Sequence, residues 1–98
     1  MDVTAFERSL TGTAPPSPLP PLLTALGWER KGDWKRAHEI AQDIESPGAA
    51  WVHAYLHRRE GDTSNAGYWY RHARRPAERG NLDDEWLTIV TALLTTAT

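Results

Sequence analysis

Cysteine is absent from this chain of 98 residues. Disulfides, thiolate metal sites and cysteine nucleophiles are thereby excluded, and the composition suits a reducing compartment, so a cytoplasmic location is the expectation. An excess of charge is missing too. With 11 Lys and Arg against 13 Asp and Glu, the formal charge is -2, which supplies no field to draw the protein onto nucleic acid or anionic lipid. Neither is expected as a partner. No apolar run approaches the roughly 20 residues that span a bilayer. The start, MDVTAFERSL, has acids early and no basic segment followed by an apolar one, so it does not read as a secretory signal. Serine is sparse, at Ser9, Ser17, Ser46 and Ser64, none in a nucleophile-elbow context, and there is no Gly-rich phosphate loop. An independent enzyme is not expected. A chain of this length buries one modest core without metal or crosslink, so folding calls for no cofactor. What the chain has in surplus is tryptophan, five residues, each able to anchor a small helical core or a binding surface.

The pattern along the chain predicts an all-α domain of five to six helices. Residues 2 to 10 suit a short helix with Asp2 as cap and Val3, Phe6 and Leu10 on one side. TGTAPPSPLP, residues 11 to 20, cannot sustain a helix, because proline removes backbone donors and extends the residue before it. Residues 1 to 20 therefore read as a short helix and a Pro-rich strap, able to cross the domain surface or to reach a second copy, which makes a homo-oligomer one expected assembly. Residues 21 to 98 read as the helical domain. Pro21 opens a helix with Leu22, Leu23 and Leu26 on one face, ending at Gly32-Asp33. Asp33 then caps DWKRAHEIAQDI, where Trp34, Ala37, Ala41 and Ile44 recur at helical spacing. Ser46 and Pro47 start the following helix, which again stops at Gly-Asp. Asp62 or Thr63 begins the next, with Ala66, Trp69, Tyr70 and Ala73 inward and Pro76 helping to end it. Asp83, Asp84 and Glu85 stand where a helix start favours negative charge. Trp86, Ile89, Val90, Leu93 and Leu94 complete the cleanest amphipathic pattern in the chain.

Setting Gly32-Asp33 on Gly61-Asp62 fixes an offset of 29 residues. The same offset aligns Ala37 with Ala66, Leu23 with Val52, Arg30 with Arg59 and Pro47 with Pro76. Internal similarity at such a period marks stacked helix pairs, each unable to cover its apolar face alone. In GDWKRA and GDTSNA the chain resembles the tetratricopeptide repeat family and its Sel1-like relatives over about residues 20 to 76, with a shorter period than the roughly 34 residues of that family. The resemblance implies two helical hairpins, a C-terminal capping helix, and a protein-interaction or assembly role. The second hairpin, with AAWVHAYLHRREGD and NAGYWYRHA, also resembles a group of small uncharacterised bacterial proteins, which implies no activity.

The tetratricopeptide register turns Ala54 and His57 toward the paired helix and places Trp51, Tyr55, Arg58 and Arg59 on a concave surface. Hydrophobicity alone instead puts Trp51, Val52, Tyr55 and Leu56 inward. Both hold if the last helix, or the strap with residues 3 to 10, lies across that surface. Where the surface stays open, Arg30, Trp51, Tyr55, Arg58 and Arg59 are the candidate partner-binding residues. Arginine forks and aromatic area suit an extended peptide with an acidic side chain or terminal carboxylate. The stretch YWYRHARRPAER mixes aromatics with arginines in a manner that superficially suits nucleic acid, but Trp69 and Tyr70 already have core roles.

WVHAYLHRREGD, residues 51 to 62, raises a rival class. His53 and His57 stand four apart, the spacing by which one helix offers two imidazoles to a metal, with Glu60 or Asp62 able to add a carboxylate. A zinc site needs three protein ligands, and the zinc-protease version needs glutamate where this chain has Ala54. The position equivalent to His57 in the first hairpin is Trp28, a packing residue. We therefore read both histidines as packed beside Tyr70 or backbone, with no metal assigned, and keep a small metal-binding or catalytic domain centred on them as the alternative.

Overall fold

Side chains that accept from otherwise unpaired backbone amides start most of the helices. The computed structural model describes residues 2–12 and 19–96, and among them the protein is all-helical, with six helices and no strand. Asp2 Oδ1 accepts from Ala5 N at 2.8 Å and opens α1, Val3–Ser9. The second helix, α2, Pro21–Arg30, has no side-chain cap and relies on proline in its first turn. Asp33 accepts from Arg36 N to open α3, Trp34–Gln42. Ser46 accepts from Ala49 N, with Pro47 in the first turn, to open α4, Pro47–Glu60. Asp62 accepts from Asn65 N to open α5, Thr63–His72. Asn81 Oδ1 accepts from Asp83 N and Asp84 N at the head of α6, Leu82–Thr96. No helix among the described residues is long and apolar enough to cross a membrane. The middle of the Pro-rich strap expected at residues 11 to 20 falls at 13–18, outside the described residues.

The two Gly-Asp turns are built alike. Gly32 and Gly61 have φ of 90° and 91°, the left-handed region that glycine enters without steric cost. The amide of Gly32 donates to Glu29 O and that of Asp33 to Trp28 O, while Gly61 donates to Arg58 O and Asp62 to His57 O. Each acceptor in one turn is 29 residues from its counterpart in the other. The helices around the turns differ more, with 10 and 9 residues in the first hairpin and 14 and 10 in the second. Pro47 lies in the first turn of α4, whereas Pro76 lies in the coil between α5 and α6. Proline does not end α5 either: the helix stops at His72, and the amides of Arg74 and Arg75 donate to Arg71 O and Tyr70 O. Arg74 takes φ 58° there, the position glycine holds in the other two turns.

Helices α2 and α3 pack as one hairpin and α4 and α5 as another, with α4 also touching α3, α2 and α6. That central position explains why every residue from Ala49 to His57 is buried. Ala54 and His57 are buried as Trp51 and Tyr55 are, but the rings that His57 meets, Trp34 and His38, belong to α3 and not to its hairpin partner α5, while Trp51 is covered by a further element. The cover is α6, which packs on α4, α2 and α1. Its Trp86 is fully buried, donates Nε1–H to Leu26 O at 3.1 Å and stacks on Phe6 of α1 with ring centroids 5.9 Å apart. Phe6 is itself fully buried, so α1 is fixed to α6 by an aromatic pair rather than by its own short length.

Candidate functional site

The five residues expected to receive a partner are largely occupied within the fold. Trp51 and Tyr55 are 6% and 1% exposed, so neither ring offers area to a peptide. Arg58 is bonded to Glu85 at 2.8 Å. Arg59 pairs with Glu29 at 3.0 Å and approaches Asp83, which Arg30 also meets at 3.4 Å. The Arg30 guanidinium lies 3.9 Å from the ring centre of Trp86. The physical reason is the cover: once α6 lies on α2 and α4, its acidic first turn arrives over these arginines and neutralises them. Burial raises the Glu29 carboxyl above the usual carboxylate range, opposed by Tyr55, Arg59 and Arg30 around it.

At the centre of that closed surface is a network the sequence reading did not assign. Glu85 is buried, and its two oxygens accept from Arg58 Nη1 at 2.8 Å, Trp51 Nε1 at 3.2 Å and the hydroxyl of Tyr70. Arg58 also donates to Gly80 O, which ties the coil before α6 to α4. Burial first, and the Glu85 hydrogen bond after it, raise the Tyr70 phenol above its ordinary value. Glu85 precedes Ile89 by four residues, so helical period already puts it on the inward stripe of α6. A carboxylate on an apolar stripe was the available signal.

The histidines are gathered rather than scattered. His53 and His57, one turn apart on α4, are each 6% exposed, and their rings lie 4.9 Å apart at 21°. Neither reaches Tyr70, which is engaged with Glu85. Instead His53 Nε2 lies 2.8 Å from Nε2 of His38 on α3, and His57 Nδ1 lies 2.6 Å from Glu60 Oε2. His38 is the residue that sequence reasoning missed. Two indoles close the group: Trp34 stacks on His38 at 4.9 Å, and Trp69 stacks on His53 at 3.9 Å. Trp34 is held by donating Nε1–H to Leu56 O at 2.6 Å. Burial, followed by the neighbouring His38 and His57, pushes the His53 imidazole down to about 4. Burial and then His57 lower His38 as well. One ring nitrogen from each of His38, His53 and His57 lies within 4.8 Å of the others, and a second grouping of this kind joins His57 with the exposed Glu60 and Asp62.

Beside the histidines runs a cleft of about 650 Å³, bounded by the α3–α4 connection, the start of α4, and α5. Ile44, Pro47 and Ala50 give it an apolar wall, and His53, Trp69 and Arg74 also line it. Glu45 is the single acid in that lining and Arg74 its single arginine, with no lysine. None of the six ion pairs among the described residues uses Arg74. Comparison of the chain with family models, with curated proteins and with solved structures gives no match.

Proposed function

We propose that the protein is a helical partner-binding module without catalytic chemistry of its own, and that its partner presents an extended acidic segment to the cleft between α3, α4 and α5. The carrying observation is Arg74. It lines that cleft, has no carboxylate partner within the described residues, and holds φ 58°, a backbone state that costs a non-glycine residue about 1–2 kcal/mol. Such cost is tolerated where a side chain has a task, and a guanidinium at the edge of an apolar cleft has the task of meeting an anion. Trp69 supplies rigid area beside it, and the volume falls in the range of pockets that hold ligands. The acidic partner expected from sequence is thereby kept, but its receiving residues move from Arg30, Arg58 and Arg59, whose charges are met internally, to Arg74 and the cleft.

Fluorescence anisotropy with labelled extended peptides, one acidic set and one with the charges reversed, tests the reading. Acidic peptides bind, reversed ones do not, and Arg74→Ala weakens binding about 10- to 100-fold, the worth of a charge-assisted hydrogen bond of about 1.5–3 kcal/mol. Arg59→Ala leaves binding unchanged. Acidic peptides that ignore the wild-type protein, or that bind Arg74→Ala equally well, end the proposal.

A further inference from the structure

We propose that His38, His53 and His57 form a three-imidazole site for a divalent first-row transition cation of the zinc class, with Glu60 orienting His57 from behind. Three imidazoles from two helices meet on one spot: one ring nitrogen of each lies within 4.8 Å of the others, and the closest pair, Nε2 of His38 and of His53, is 2.8 Å apart. Four ligands around zinc at about 2.0–2.1 Å stand about 3.3 Å from one another. The close pair therefore opens by about half an ångström and the third nitrogen closes in, shifts within the reach of side-chain torsions.

The surroundings favour a metal over simple packing. His57 Nδ1 meets the Glu60 carboxylate at 2.6 Å. An Nδ1–H donated to that carboxylate fixes the tautomer whose other nitrogen carries a free lone pair, the arrangement that prepares a histidine as a ligand. Glu60 thus serves behind the ligand, where the sequence had offered it as a ligand itself. Trp34 and Trp69 cover the outer faces of His38 and His53 and limit their rotation, which reduces the entropy lost on coordination. His53 and His57 are buried while His38 is half-buried, so the site is largely dry yet approachable. His53 also lines the cleft, which gives an ion an entry path and leaves its fourth position to water or to a ligand in the cleft. This site stands independently of the acidic partner, since Arg74 takes no part in it.

The test is a calorimetric titration of zinc chloride into chelator-treated protein that carries no histidine tag, repeated with cobalt(II) to read its visible absorption. Wild type binds one equivalent with a dissociation constant of about 10 µM or below, and cobalt gives the intense bands of a four-coordinate site. Glu60→Gln weakens zinc about 10- to 100-fold, and His38→Ala weakens it by more than that range. His72→Ala, which removes the exposed fourth histidine of the chain, changes nothing. Far-UV circular dichroism confirms that each variant is folded, and half-buried His38 is the ligand whose loss the fold tolerates best. Sub-stoichiometric or weaker binding by the wild type overturns the site, as does His38→Ala binding equal to wild type, or His72→Ala failing as badly as His38→Ala. Each of those results makes the trio a packing cluster.

Discussion

Replacing Glu85 by alanine removes one side chain and strands three donors. Arg58, Trp51 and Tyr70 all direct hydrogens at its two oxygens, and the carboxylate itself is 1% exposed. Breaking a buried ion pair by deleting one partner costs about 3–5 kcal/mol, because the surviving charge keeps its desolvation penalty without its attraction. Each neutral donor left buried adds about 1–3 kcal/mol. The two figures overlap, since Trp51 and Tyr70 are part of what makes the site dry. Arg58, at 16% exposure and with Gly80 O still available, recovers some hydration. The expected loss is therefore about 4 kcal/mol, a large share of the roughly 5–15 kcal/mol that holds a domain together.

In urea, at a slope of about 1–3 kcal/mol/M, that loss lowers the midpoint by more than about 1 M. Thermally it lowers Tm by roughly 15–30 °C for a chain of this size. Glu85→Gln keeps the shape but offers one acceptor where three donors compete, and falls between alanine and wild type. The decisive measurement is the cycle with Arg58→Met. Removing the charge from both sides relieves the stranded guanidinium, so the double variant is more stable than the sum of the singles predicts, by about 0.5–3 kcal/mol. A Glu85→Ala loss below 1 kcal/mol, or strictly additive singles, refutes the reasoning that this carboxylate locks α6 onto α4.

Three further outcomes follow from particular contacts. In chelator, the protein loses stability as pH falls from 6.5 to about 4, because the unfolded chain takes up a proton on His53 that the folded chain refuses. That difference is worth about 3 kcal/mol across the window, and His38 acts in the same direction while the raised Glu29 carboxyl acts against it. A His53→Phe variant that shows the same pH slope as wild type in urea titrations removes this account. Phe6→Ala costs about 3–5 kcal/mol in the same assay, since the ring is fully buried against Trp86; a loss under 1 kcal/mol means α1 is not docked. Arg74→Gly raises the urea midpoint by the equivalent of about 0.5–1 kcal/mol, the left-handed penalty relieved less the entropy of glycine, while weakening acidic-peptide binding about as much as Arg74→Ala does. Equal or lower stability contradicts the strain.

Helix boundaries were legible because they are local. Asp2, Asp33, Ser46 and Asp62 each cap within three residues of themselves, so the chain near each start contains the whole of the cause. The cover over α4 was legible for a different reason: Trp51, Val52, Tyr55 and Leu56 could not be left in water, and α6 carried the matching apolar stripe. What α6 brought with it was less visible. Asp83, Asp84 and Glu85 look alike in sequence, and a helix start explains all three, yet Glu85 alone falls on the stripe and goes to Arg58. The arginines read as a receiving surface were consequently read without their partners, which lie 27 residues away from Arg58 and 53 from Arg30.

His38 was hidden by the alignment that made the rest of the chain readable. The offset of 29 sets it against Gly67, so the comparison of the hairpins does not mark it, whereas His53 and His57 stand four apart within one helix. The contrary signal was its spacing of four from Trp34, which places it on the inward face of α3, the face that α4 closes upon. A helical pattern reports which face is buried; it does not report which buried side chains of two helices meet, because that depends on how far one helix is shifted along the other. Here the shift brings His38 opposite His53, and two half-sites, each unremarkable alone, become three imidazoles around one point.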